Sequence, residues 1–148
     1  MTRSTRFAYI LGLLTLSLSG QAHALCVTAS EANLRSGPGT NYAVSWRVYT
    51  YMPLRKIGQR GSWYKVVDVD GEKHWIHRTL ISSKLRCGVV KTDRANIRKG
   101  PGTRYPQLEW SPVQRYYSFQ VLGQSGSWTR IKDEYGDTGW IAKSLTWQ

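Results

Sequence analysis

The stretch Asn33-Leu34-Arg35-Ser36-Gly37-Pro38-Gly39-Thr40-Asn41-Tyr42 returns downstream as Asn96-Ile97-Arg98-Lys99-Gly100-Pro101-Gly102-Thr103-Arg104-Tyr105, with seven of the ten positions identical. Proline fixes φ near −65° and glycine tolerates φ > 0, so Gly-Pro-Gly-Thr carries the signature of a type II turn. Leu34 and Ile97, just ahead of the turn, read as strand ends aimed into a core. The tyrosine after it marks the return of the loop.

Two further landmarks complete each copy. Gly58-Gln59-Arg60-Gly61-Ser62-Trp63 matches Gly123-Gln124-Ser125-Gly126-Ser127-Trp128, and Gly71 with Trp75-Ile76 matches Gly136 with Trp140-Ile141. The offset is 63 residues at the first landmark and 65 at the second, so copy two has gained two residues between Tyr105 and Gly123. Insertions accumulate in loops, and this one falls where the copies are least alike.

Ahead of the repeat, Arg3 and Arg6 precede a largely apolar run over residues 7–18, followed by Ala22-His23-Ala24 as an A-x-A cleavage site. This reads as an export signal over residues 1–24, with a mature chain starting at Leu25. The apolar run is shorter than the roughly 20 residues of a spanning helix, and no later stretch is apolar enough to cross a bilayer. A periplasmic or secreted protein is expected. A lipid anchor on Cys26 is disfavoured by Leu25, where the lipoprotein pattern takes a small residue.

The mature chain divides into residues 25–86 and 87–148, two units of a size that buries little surface and is marginally stable alone. Cys26 and Cys87 are the only cysteines, and export places them where disulfides persist. A bridge between them would tie the first strand of copy one to the residue after its last. Intermolecular pairing and two free thiols are the alternatives.

Without Arg3 and Arg6, 19 Lys and Arg face 9 Asp and Glu, a net charge of +10. Such a balance suits anionic surroundings. The export signal turns the expectation from nucleic acid to envelope polyanions and the carboxylates of cell-wall peptides. The alternative is that scattered basic residues only keep a small protein soluble.

No useful length has helical period. Strands are predicted over residues 26–30, 32–35, 44–51, 54–59 and 63–69, then 74–77 after a hairpin turn at Asp70-Gly71, with a tight turn and closing strand at 79–81. Copy two repeats the pattern at 128–133 and 139–142. Short strands between glycine turns favour a small barrel over a sandwich, since closure removes exposed edges. With almost no linker at residues 84–88, the two units are expected to touch.

Val66 and its counterpart Ile131 set the inward parity of the central strand. Trp63 and Trp128, three residues earlier, then face outward. An outward tryptophan in both copies points to a contact surface, or else to an indole folded over the rim to seal the core. Tyr42 and Tyr105 share this ambiguity, as do Trp46 and Trp110, whereas Trp75 and Trp140 are assigned to structure. Arg35 and Arg98 are expected chiefly to hydrogen-bond loop carbonyls, with a ligand carboxylate as the alternative.

No catalytic set emerges. His74 and His77 lie at odd spacing on a strand, so they cannot easily grip one ion, and copy two has Gly139 and Ala142 there. Both cysteines are better explained as a disulfide than as nucleophiles, and Asp68, Asp70 and Glu72 cluster at a turn where Asp serves the backbone. Gly-Pro-Gly is no phosphate loop, lacking the Lys-Ser/Thr and a following helix. The expectation is a protein that is not an enzyme, with no cofactor or metal.

The ordered pattern Asn-Leu/Ile-Arg-x-Gly-Pro-Gly-Thr-x-Tyr, Gly-x-x-Gly-Ser-Trp and Gly with Trp-Ile resembles the bacterial SH3-like domain family, in tandem over residues 26–147. The resemblance implies an all-β chain of two small SH3-like β-barrels, and binding modules that recognise peptidoglycan or its peptides. It further implies a groove between the loop after the first strands and the tryptophan-bearing strand, here Tyr42 with Trp63 and Tyr105 with Trp128. No hydrolase is attached within the chain. The leading expectation is a cell-wall binder; the alternatives are an adaptor for an extended segment of an envelope protein and an exported effector or inhibitor. No oligomeric state follows from the sequence.

Overall fold

The computed structural model describes residues 23–148, so all but the last two residues of the expected export signal lie outside the described residues. The described chain is all-β. In copy one the strands are β1 (Leu25–Val27), β2 (Glu31–Arg35), β3 (Val44–Tyr49), β4 (Pro53–Arg60), β5 (Trp63–Val67), β6 (Lys73–His77) and β7 (Ile81–Ser82), with a 3-10 turn at Arg78–Leu80. Copy two continues with β8 (Cys87–Val90), β9 (Arg94–Ala95), β10 (Val113–Gln114), β11 (Ser118–Ser125), β12 (Trp128–Lys132), β13 (Thr138–Ala142) and β14 (Thr146–Trp147), with a 3-10 turn at Lys143–Leu145.

The expected barrels are not closed. The first sheet is open, in the order β3-β2-β6-β5-β4-β1-β7, and its ends β3 and β7 are not paired with each other. Copy two is divided between a five-stranded sheet, β13-β12-β11-β8-β14, and the β9-β10 pair. In copy one the two-residue β7 pairs only with β1 and β3 pairs only with β2, and in copy two the sheet parts at the glycine loop. β2 meets β6 at the single registered pair Arg35 and Trp75, and its counterpart in copy two is the isolated bridge between Arg98 and Trp140. Twist folds each sheet over its own core, so side chains enclose it where the ladder does not. Leu34, Leu54, Val66 and Ile76 are fully buried in the first core, and Ile97, Phe119, Ile131 and Ile141 in the second.

The glycine loop also departs from the expected turn. Gly39 and Gly102 do not adopt positive φ, so the turn is not type II. Gly39 N–H donates to the Gly37 carbonyl at 3.0 Å, a three-residue turn that suits the fixed φ of Pro38. Tyr42 N–H then donates to the Gly39 carbonyl at 3.3 Å. What demands glycine at 37 and 100 is close approach: the rings of Tyr42 and Tyr105 lie where a Cβ would sit.

The two units touch along a broad junction. Cys26 and Cys87 are bonded, with Cα atoms 5.9 Å apart. Val89 of β8 belongs to the first core and Val90 to the second. Trp147 packs on the first core under the Arg55 guanidinium, and Ser118 Oγ donates to the Thr50 carbonyl at 2.7 Å. At the rim, Arg115 Nη2 and Tyr116 Oη donate to the two Asp70 oxygens, each at 2.6 Å. These bonds hold the Asp70 carboxyl below its usual range, the tyrosine contributing most.

Candidate functional site

β5 and β12 carry the tryptophans that the repeat singles out. Val66 and Ile131 are fully buried, and Trp63 and Trp128, on the other face, are half-buried. β5 pairs with β6 at Trp63 and His77, β12 with β13 at Trp128 and Ala142. Beside each tryptophan runs a surface groove, and the two grooves are built from equivalent residues. Asn33, Arg35, Thr40 and Leu80 line the first with Trp63; Asn96, Arg98, Thr103 and Leu145 line the second with Trp128.

One arginine in each copy does two jobs there. Arg35 Nη1 donates to the carbonyls of Thr40 at 3.2 Å and Tyr42 at 2.9 Å. Arg98 Nη1 makes the same bonds to Thr103 and Tyr105 at 3.2 and 2.9 Å. Each arginine thus ties down the glycine loop while lining the groove, which keeps the threonine wall in place.

Tyr42 and Tyr105 are not brought into these grooves. Their rings lie over Gly37 and Gly100, and the loop presents Thr40 or Thr103 to the groove instead. Trp46 is half-buried on the first core and meets Tyr116 edge-on, with ring centroids 5.2 Å apart, at the junction. Trp110 packs on the second core against Tyr117. Of the eight sequence-nominated residues, the fold therefore gathers Arg35 with Trp63 and Arg98 with Trp128.

The grooves are not copies in size or charge. His77 stands edge-on to Trp63, with centroids 5.2 Å apart, where Ala142 leaves space beside Trp128. The first cavity holds about 300 Å3 and the second about 620 Å3. Glu31 lines the first and is paired with Arg47 at 3.1 Å. The equivalent positions in the second are Arg94 and Pro112.

Linear reading also missed a polar chain behind the first unit. Ser45 Oγ lies 2.7 Å from His74 Nδ1, and His74 Nε2 lies 2.9 Å from Asp68 Oδ2. Asp68 Oδ1 accepts the backbone N–H groups of Asp70 and Glu72, each at 2.9 Å. Asp133 repeats the backbone bonds to Tyr135 and Asp137, but its other oxygen accepts the Tyr117 hydroxyl at 2.9 Å. Burial and that carboxylate push the Tyr117 hydroxyl far above its ordinary pKa. Gly139 stands where copy one has His74, because Ile97 and Leu108 fill the space a side chain would need. Nothing in the spacing of Ser45, Asp68 and His74 along the sequence indicates that they meet. No group of acidic, histidine or cysteine side chains could hold a metal ion among the described residues.

Comparison with known proteins agrees with the paired architecture. Two family models, each described as a bacterial SH3 domain, match residues 28–83 and 93–146. The chain belongs to the bacterial SH3 domain family. A Bacillus subtilis (strain 168) protein named as an N-acetylmuramoyl-L-alanine amidase, YrvJ, is 28% identical over 126 residues, covering 78% of this chain and 24% of that protein. The tandem SH3 chain thus spans about a quarter of that relative's length. Among solved structures, an NlpC/P60 family protein from Bacillus cereus ATCC 10987 is similar at 12% identity and a TM-score of 0.39, over 83% of this chain and 55% of that one. NlpC2 from Trichomonas vaginalis is similar at 16% identity and a TM-score of 0.36, over 88% and 49%.

The expectation that the chain is not an enzyme is corrected by the relative, which is named for a catalytic activity. That expectation rested on pairs and clusters close together along the sequence. The meeting of Ser45, His74 and Asp68 in space shows why such an inventory is no ground for excluding catalysis.

Proposed function

We propose that this tandem SH3 chain is an exported, cell-wall-associated protein that engages peptidoglycan through the two grooves beside Trp63 and Trp128. The observation that carries this reading is their equivalence: the same Asn, Arg, Thr, Trp and Leu positions line both. Each indole offers a half-buried apolar face, and each arginine has donors left after its Nη1 is committed to the loop, a combination suited to a wall peptide with its amides and carboxylates. The excess of basic residues favours approach to an anionic wall. Family membership and the amidase relative both support a setting in wall turnover. Two grooves on one chain raise avidity for a repeating polymer when both engage.

The test is co-sedimentation of residues 25–148 with purified peptidoglycan across a salt series, beside the Trp63→Ala, Trp128→Ala double variant. Screened attraction fades before ~0.5 M salt, where the Debye length is only a few Å. Groove binding should persist there in the wild type and be lost in the variant with its fold intact. Release of both proteins by salt would refute the groove reading. Peptides freed into the supernatant of the same incubation would report amidase action directly.

A further inference from the structure

Resting on that reading of the grooves, we infer that they divide the ligand by charge: the groove beside Trp128 is a receptor for a peptide's free carboxylate, and the groove beside Trp63 is not. The division follows from two substitutions at equivalent positions. In the first unit Glu31 lies on the groove wall and Arg47 neutralises it. In the second unit Arg94 takes the place of Glu31, and Pro112 that of Arg47. The β2-β3 pair Ala32 with Val48 and the β9-β10 pair Ala95 with Val113 are in the same register, so the replacement is positional in space as well as in sequence.

Two guanidinium groups therefore line the second groove, and no acidic residue lines it among the described residues. Arg94 is exposed and makes no ion pair among the described residues. Arg98 commits Nη1 to the loop carbonyls, while its Nε and Nη2 make no hydrogen bond within the described residues. A guanidinium so held is oriented before a ligand arrives, which favours two-pronged capture of a carboxylate. Ala142 in place of His77 supplies the room: the second cavity is about 620 Å3 against about 300 Å3. Asn96 and Gln107, also on the wall, offer amide groups to the peptide backbone.

The occupant is thus a peptide ending in a free carboxylate, its last side chain against Trp128. The experiment titrates the mature protein with N-acetyl-alanyl-alanine and separately with the same dipeptide capped as its C-terminal amide. It follows the indole N–H resonances of Trp63 and Trp128 by NMR, assigned with Trp63→Phe and Trp128→Phe. The acid should move the Trp128 resonance and bind at least about tenfold more tightly than the amide, since the capped end loses its charge-assisted bonds. Arg94→Gln should remove most of that preference without changing the rest of the spectrum, and the Trp63 resonance should not discriminate acid from amide. Equal response to both dipeptides, response of Trp63 alone, or no movement of Trp128 would overturn the assignment. Binding to sacculi with no preference for the acid rejects the carboxylate inference and leaves wall binding standing. A clear acid preference at Trp128 without sacculus binding does the reverse.

Discussion

Opening the Cys26–Cys87 bond should destabilise the first unit by about 4 kcal/mol. The bond joins residues 61 apart, and its ring runs from the second residue of β1 through all of β2 to β7 and ends on the first residue of β8. Closing a loop of that length removes chain entropy from the unfolded state worth ~4 kcal/mol, a large part of the total for a unit this small. The site is dry, with Cys26 wholly buried and Cys87 4% exposed, so reduced thiols gain no compensating hydration in the folded state. The assay is urea denaturation of the oxidised protein, the reduced protein and the Cys26→Ala, Cys87→Ala variant, following the Trp63 indole resonance. At a slope of ~1 kcal/mol/M for so small a unit, the midpoint should fall on the order of 3–4 M, and the first unit should be largely unfolded without the bond. The reduced wild type retains both sulfur atoms and isolates the cross-link from packing. A shift below ~0.5 M in both the reduced protein and the variant would refute the reasoning and assign the stability of the first unit to its contacts with β8 and Trp147.

Two further perturbations probe the junction and the loop. Asp70 has a lowered folded pKa, so its contribution is present above the ordinary carboxylate value of about 3.9 and is lost as pH falls through the lower folded value. Acidification to about pH 3 should therefore begin to weaken the contact with Arg115 and Tyr116, and Asp70→Asn should weaken it at neutral pH; a carboxyl carbon titrating at or above about 3.9 would contradict this. In the glycine loop, Gly100→Ala should cost about 1–3 kcal/mol by driving a Cβ into the Tyr105 ring. Gly102→Ala, whose Cβ would sit at an ordinary 3.5 Å from the same ring, should be neutral or slightly stabilising. Thermal melts showing equal effects at the two positions would remove close approach as the reason for the motif.

Much of this was legible before any coordinates. Alternation put Val66 and Ile131 inward, and both are fully buried. It also put Trp63 and Trp128 on the opposite face, where they line the grooves. The hairpin turn at Gly71 stands at φ +84°, the positive value its Asp-Gly sequence predicts. The turn type was misread because Pro-Gly satisfies the type II rule locally, whereas the tyrosine ring five residues after the first glycine sets the actual conformation. Tyr42 and Trp63 were joined by resemblance, but a loop motif does not say which of its side chains covers the loop's own backbone. Closure was expected from edge avoidance, yet β3 and β7 stay unpaired at the edges of the first sheet, and copy two parts where Arg98 and Trp140 make one isolated bridge.

The sequence by itself determined that one fold is made twice. A ten-residue motif, a tryptophan strand and a glycine hairpin in fixed order impose the same alternation on both halves, and alternation is a local property of an extended chain. Only the tertiary structure decided what the differences between the halves do. Glu31 and Arg47 become a neutral pair, while Arg94 and Pro112 leave charge on the groove wall. Ser45 of β3 meets His74 of β6, which in turn holds Asp68 of the hairpin turn, and Asp70 of one unit is clamped by Arg115 and Tyr116 of the other. Those contacts join residues from 6 to 46 positions apart, and the energy of such pairs depends on distance and burial in space, which periodicity along a strand does not encode.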